Sequence, residues 1–239
     1  MASEQCCSNP PTLDPNSGEG EVQELGGLTC YVSGSTDSKI AVLLISDIFG
    51  YEAPKLRKLA DKVAAAGFYA VVPDYFRGDP CDAERFHEVF PDWIKNHGPE
   101  LGVEDTKQII EVLKSKGITK FGAAGFCWGA KVVVELAKEG YIHAGVLIHP
   151  SLVSTEDIEG VKVPISILGA EIDQASPPEL VKQFEVILNA LPEVDGFVKI
   201  FPGVSHGWAI RCSDDDEHAV KSAGEAHDDM LDWFVKYLK

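Results

Sequence analysis

The stretch Ala123 to Val133, AAGFCWGAKVV, decides how the chain is read. Four small or apolar residues lead into Gly125-Phe126-Cys127-Trp128-Gly129, and KVVVELAKE follows with the composition of a helix. A cysteine between two glycines, at an abrupt passage from strand to helix, sits in a turn where side chains two positions either side would collide with the neighbouring elements. That need accounts for Gly125 and Gly129. Cys127 would project above the sheet, at a helix N-terminus whose dipole favours a thiolate. A buried packing cysteine beside a tight turn carries the same five residues, so the meaning of the motif depends on the rest of the chain.

Outward from this turn, strands and helices alternate. KIAVLLIS and FYAVVP are continuous apolar runs of the length expected for strands covered on both faces. Between them, PKLRKLADKVAAAG carries Leu56, Leu59, Ala60, Val63 and Ala64 on one helical stripe, opened by Pro54 and closed by Gly67. Helices are predicted from Cys81 to Asn96 and from about Glu104 to Lys116. Strand KFGAAG, the helix after Cys127, strands HAGVLIHP and VPISILGA, helix PELVKQFEVILNAL, strand GFVKIF and a C-terminal helix complete the series. LTCYVSG alternates like an edge strand. The pattern predicts an α/β fold, a mostly parallel central sheet with helices on both faces. Residues 1–24, rich in Pro, Gly, Ser and acid, are expected to be a flexible N-terminal arm, and residues 25–239 a single domain.

Composition limits the function. The 239 residues hold 21 Lys and Arg against 38 Asp and Glu, a net charge of -17 that repels phosphate backbones and anionic lipid surfaces. Nucleic-acid binding is not expected. No apolar run reaches the ~18 residues of a membrane span, and the N-terminus lacks the layout of a secretory signal, so a cytoplasmic protein is expected. Six cysteines include no CxxC pair and no matched Cys/His spacing, so neither a metal nor a redox dithiol is expected. The acidic run Ser213 to His218 reads as the N-terminus of the last helix, with a metal loop as the less favoured reading.

In such a sheet, ligands bind at the carboxyl ends of the strands. There the chain places SDIFGYE, DYFRGDP, GFCWG, HPS, GAEIDQASPP and GVSHGW. A nucleophile needs a base, and the base needs a group to fix its tautomer. Asp173 and His206 follow Cys127 in that order, each directly after a predicted strand, which makes His206 the candidate base and Asp173 its orienting acid. Glu171 competes for the acid role. His87, His97, His143, His218 and His227 read as surface or satisfied core residues. The backbone N–H groups of Trp128 and Ile48 are the candidate oxyanion hole. Tyr51, Phe76, Trp128, His149 and Trp208 are candidate pocket walls.

Together, DIFGYE, AVVPDYFRGDP, GFCWGAK, GAEID and SHGWAIR resemble the dienelactone hydrolase family, a cysteine-dependent branch of the α/β-hydrolase fold, over about Gly26 to Lys239. The chain looks most like the plant cytosolic members, which share the Pro-rich acidic arm. The resemblance implies a Cys127-His206-Asp173 triad and hydrolysis of lactones or activated esters through an acyl-cysteine, without metal or organic cofactor. It implies a small-molecule substrate and a monomer or homodimer. Asp47 stands where bacterial members carry a glutamate implicated in switching the cysteine between thiol and thiolate. Arg77 matches the first of two arginines that bind a substrate carboxylate there, while Arg211 lies one residue further from the histidine than the second. Gly207 replaces a serine. Three alternatives stay open: the endo-glucanase label carried by some plant relatives, acyl transfer or cyclisation with the same triad, and a non-catalytic receptor that keeps the pocket.

Overall fold

The computed structural model describes residues 9–239, so the first eight residues of the expected arm, Cys6 and Cys7 among them, lie outside the described residues. The first three strands are β1 (Glu21–Leu25), β2 (Leu28–Ser33) and β3 (Ile40–Ile45). Helix α1 (Pro54–Ala65) leads to β4 (Tyr69–Pro73), then α2 (Phe86–Asn96), α3 (Pro99–Ser115) and β5 (Lys120–Phe126). Next come α4 (Trp128–Glu139), β6 (Ala144–Ile148), α5 (Thr155–Glu159), β7 (Ile165–Ile172) and α6 (Pro178–Asn189). The chain ends with β8 (Gly196–Ser205), α7 (Trp208–Arg211) and α8 (Glu217–Leu238).

The strands form one eight-stranded sheet in the order β1-β2-β4-β3-β5-β6-β7-β8. Strands β4, β3, β5, β6, β7 and β8 run parallel to their neighbours, and β1 and β2 add antiparallel at one edge. The central strands are buried throughout, as continuous runs such as AVLLI and YAVVP require once both faces are covered. One face packs against residues of α2 to α6, including Trp93, Ile110, Val133 and Phe184. The other packs against α1, α7 and α8 through Leu56, Ile210 and Phe234. This is the expected α/β-hydrolase-type architecture.

Three local expectations are corrected. LTCYVSG is not an edge strand, because Glu21 to Leu25, of which Glu21 to Glu24 are assigned from composition to the arm, form β1 outside it. Leu25 pairs with Leu28 across Gly26-Gly27, whose φ values of 61° and 82° suit a two-residue turn with both central residues left-handed. The helix expected from Cys81 begins at Phe86, and the one expected from Glu104 begins at Pro99, which opens the first turn of α3. The acidic run before α8 supplies its cap: Asp216 accepts a hydrogen bond from the Ala219 amide at 3.0 Å.

The described part of the arm is tied down. Arg57, 1% exposed, lies over the rings of Tyr31 and Tyr51 and donates to the carbonyls of Tyr51 and Pro15 at 3.0 and 2.7 Å. The Asp14 amide donates to the Glu52 carbonyl. The Nε and Nη1 of this buried guanidinium, donating to backbone carbonyls, tie the polar segment across the molecule.

Candidate active site

The polar residues gather where the strands end. Cys127 joins β5 to α4 with φ 52° and ψ -109°, a backbone conformation that a residue with a side chain adopts at a cost. Its amide donates to the Ile148 carbonyl, and its own carbonyl accepts from the amides of Ala130 and Ser151, so β6 and the loop after it hold the turn from both sides. The flanking glycines are needed. A Cβ at Gly125 would lie 2.2 Å from the Gly129 carbonyl oxygen, and one at Gly129 would lie 2.2 Å from that of Ile45. Helix α4 therefore starts against β3 and β5 at backbone contact, and Trp128 is its first residue, whose amide has no carbonyl partner within the helix. Ile48, after β3, is buried, and its carbonyl accepts from the Cys81 amide at 2.9 Å.

Strands β7 and β8 bring the next two residues together by register. Ile172 pairs with Ser205 after an irregularity at Ala170, so the residues that follow them, Asp173 and His206, leave the sheet side by side. The His206 Nδ1 is 2.8 Å from Asp173 Oδ2, and both side chains are fully buried. Asp173 Oδ1 accepts from the amides of Ala175 and Ser176 at 2.8 and 3.2 Å, which fixes the carboxylate in turn. With Nδ1 engaged by Asp173, Nε2 is the second hydrogen-bonding nitrogen of the ring. Glu171, the competing acid, is exposed and accepts from the Gly203 amide instead.

His149, the residue after β6, has φ 36° and a fully buried ring. It stands edge-to-face with His206 at 4.9 Å and with Trp208 at 5.4 Å, and lies 5.9 Å from Phe126, the neighbour of Cys127. Burial first, then the proximity of His206 and Arg211, pushes its pKa well below the ordinary histidine value, so it is neutral at physiological pH.

Asp47 and Arg211 meet in an ion pair with Nε 2.9 Å from Oδ2, each side chain 1% exposed. Asp47 Oδ1 also accepts from the Phe49 amide, and the guanidinium lies over the Phe49 ring at 5.1 Å. Gly207, with φ 88°, makes room for it: a Cβ there would fall 2.3 Å from Arg211 Nη2 and 2.5 Å from Cζ. The absence of a side chain after His206 is thus a packing requirement of Arg211. Phe49, two residues after Asp47, is a further residue of this cluster, and its place in the loop after β3 is the only sequence signal for it.

Other candidates lie elsewhere. Arg77, φ 53° and largely exposed, turns onto α3 and pairs with Asp105 at 2.9 Å. Tyr51 is engaged with Arg57. The side chain of Trp128 is packed edge-on to Phe76 at 5.0 Å and donates to the His97 carbonyl. Trp208 is buried between Phe201 and His149. A cavity of about 120 Å³ reaches His206, Gly207 and Arg211, with Asn9 of the arm in its wall.

A model of the dienelactone hydrolase family matches residues 28–238. The chain is 42% identical over 199 residues to a maize (Zea mays) protein named Endo-1,3;1,4-beta-D-glucanase, covering 81% of this chain and 64% of that one. It therefore spans under two thirds of that relative's length. It is 31% identical over 226 residues to the human (Homo sapiens) Carboxymethylenebutenolidase homolog, with 92% of each chain covered. Among solved structures, a putative dienelactone hydrolase from Klebsiella pneumoniae superposes with a TM-score of 0.70 at 20% identity, over 88% of this chain and 93% of that one, a likeness of fold.

Proposed function

The chain belongs to the dienelactone hydrolase family, and on that premise we propose that it hydrolyses lactones or activated carboxylic esters through Cys127, His206 and Asp173. The observation that carries the proposal is the buried His206–Asp173 pair at 2.8 Å, at the same sheet rim as a cysteine held in a strained elbow. His206 takes the proton of the Cys127 thiol while the sulfur attacks the substrate carbonyl. The resulting oxyanion is received by the Trp128 and Ile48 amides, each worth ~3 kcal/mol to the transition state. Collapse breaks the ester C–O bond, the leaving oxygen takes the proton from His206, and the acyl group stays on sulfur. Water then gives a proton to His206 and its oxygen attacks the thioester, releasing the acid and returning the proton to the thiol. Asp173 steadies the imidazolium in both halves. Sulfur is itself readily expelled from the tetrahedral intermediate, so substrates whose leaving oxygen is a weak base, such as an enolate, suit this chemistry best.

The name of the maize relative raises glycoside hydrolysis as a different class. That reaction needs two carboxyl groups flanking the scissile bond, about 5 to 9.5 Å apart and free to act on it. Asp173 is engaged with His206 and Asp47 with Arg211, which favours the cysteine route. One experiment separates the two. Labelling with iodoacetamide at low excess should abolish p-nitrophenyl acetate turnover as one label enters Cys127, and Cys127→Ala should be inactive. Turnover of the ester that survives Cys127→Ala refutes the proposal, and reducing-sugar release from mixed-linkage glucan by that variant would favour the glycosidase.

A further inference from the structure

We propose that the cavity between the N-terminal arm and the α7 segment is a subsite for an apolar, ring-sized group attached to the leaving oxygen of the substrate, and that arm residues Asn9 to Thr12 set its size. The inference deepens the hydrolytic reading of the site and rests on it.

Three observations carry it. First, the cavity of about 120 Å³ at His206 shares Asn9, Arg211, Cys212 and Ser213 with a larger one of about 310 Å³, so the two adjoin. In the proposed reaction the leaving oxygen takes its proton from His206, so whatever that oxygen carries lies on the His206 side of the carbonyl, where this space begins. Second, the larger cavity is of the right kind. Its walls include Pro10 and Pro11 of the arm, Pro54 at the start of α1 and Ile210 of α7, and Lys55 spends its charge on Asp214 and on the Cys212 carbonyl, each at 2.6 Å. A volume of about 310 Å³ is at the lower end of the range for ligand pockets, room for a single or fused aromatic ring. Third, the arm is built to keep its place there. From Leu13 to Gly20 it is pinned: Leu13 packs on the core beneath α1 and α8, the Asp14 amide donates to the Glu52 carbonyl at 3.0 Å, and the Gly20 amide donates to the Tyr31 hydroxyl at 2.7 Å. Asn9 to Thr12, in contrast, make no hydrogen bond among the described residues. Pro10 and Pro11 have no N–H to satisfy and a φ fixed near about -65°, so a stiff step carries Asn9 from the pinned segment to the edge of the His206 cavity.

Two acetate esters test this. Vinyl acetate and 2-naphthyl acetate give the same acetyl-cysteine, so the ratio of their kcat/KM values reports the leaving-group side alone. The ratio of naphthyl to vinyl ester should fall at least tenfold in Thr12→Trp, which fills the cavity from the arm, and in Ser213→Trp, which fills it from the facing wall. Pro10→Gly combined with Pro11→Gly, which removes the stiffness of the arm, should lower it at least threefold. A ratio within twofold of the natural chain in all three variants overturns the proposal. Binding is read without turnover in Cys127→Ala, by the fluorescence anisotropy of 2-naphthol, which should saturate with a Kd below about 1 mM and weaken at least tenfold when Thr12→Trp is added. Absence of saturable binding, or a Kd that Thr12→Trp leaves unchanged, overturns the proposal as well. Binding that Thr12→Trp weakens, with no ester turnover by the natural chain, upholds the arm-walled aryl site while sinking the hydrolytic reading.

Discussion

Gly207→Ala is the substitution for which the structure gives the most definite cost. Its φ of 88° lies in the left-handed region, where an alanine loses roughly 1–2 kcal/mol. The added Cβ would stand 2.3 Å from Arg211 Nη2, 2.5 Å from Cζ and 2.7 Å from Nε, all well inside contact distance, so the guanidinium has to withdraw. It cannot do so and keep its place, with Phe49 below it and Asp47 at 2.9 Å. Losing a buried ion pair by displacing one partner costs roughly 3–5 kcal/mol. The sum, about 4–7 kcal/mol, corresponds in a chain of this size to a fall in Tm on the order of 10–20 °C. Thermal melts followed by far-UV circular dichroism, with urea unfolding as the equilibrium check, measure it. The control is a background carrying Asp47→Asn and Arg211→Met, where no ion pair remains to be broken. There Gly207→Ala should cost only its conformational part, about 1–2 kcal/mol. Equal losses in the two backgrounds, or a loss below about 2 kcal/mol in the natural one, would refute the account of why no side chain follows His206.

Two further outcomes follow from the same geometry. Asp173→Asn keeps the shape but lets the ring of His206 adopt the wrong tautomer, so kcat should fall on the order of 10⁴-fold while the Tm moves little. A kcat within tenfold of the natural protein would remove Asp173 from the mechanism. Burial, opposed by the hydrogen bond from its Nε2 to the Ala209 carbonyl, lowers the pKa of His227 from 6.5 to about 4. As pH falls through that window the unfolded chain takes the proton first, so His227 costs the folded state nothing above pH 6.5 and roughly 3 kcal/mol once pH reaches 4. The stability of the natural chain relative to His227→Gln should therefore decline by about that amount between pH 7 and pH 4 in urea titrations, and a constant difference would count against it.

How much of this was legible in the sequence depended on whether a signal was local. Continuous apolar runs announced the buried parallel strands, and Gly-x-Cys-x-Gly announced the elbow, because each is a constraint between near neighbours. Strand β1 was hidden because EVQEL is mostly polar and belongs to an edge, where only Leu25 is buried. Its signal was the Gly26-Gly27 turn. The pairing of Asp173 with His206 could be proposed from chain order, but the register at Ile172 and Ser205 that puts them side by side could not. The partnership of Asp47 with Arg211 spans 164 positions and was invisible, so two residues considered separately for different tasks proved to be one ion pair. Arg57 illustrates the same limit: on a helix it reads as solvated, yet it is 1% exposed because the arm folds back over it.

Backbone strain points to the same rim of the sheet independently of any motif. Among the described residues, those other than glycine with positive φ are Asn9, Arg77, Cys127, His149 and Leu152. Four of them lie on the segments that leave β4, β5 and β6, at the carboxyl rim of the sheet. Conformations of this kind cost roughly 1–3 kcal/mol each and persist only where surrounding structure over-determines them. Here the surrounding structure is the parallel sheet, whose strands β3 to β6 are buried almost completely, with Ile148 of β6 and Ser151 of the loop after it holding both backbone groups of Cys127. A rim that served only to connect strands to helices would relax to ordinary turns, with glycine or asparagine at the left-handed positions. Its retention of a cysteine, a histidine and an arginine there, at a cost that the core must offset, supports the proposed chemistry at this edge over a role in packing alone.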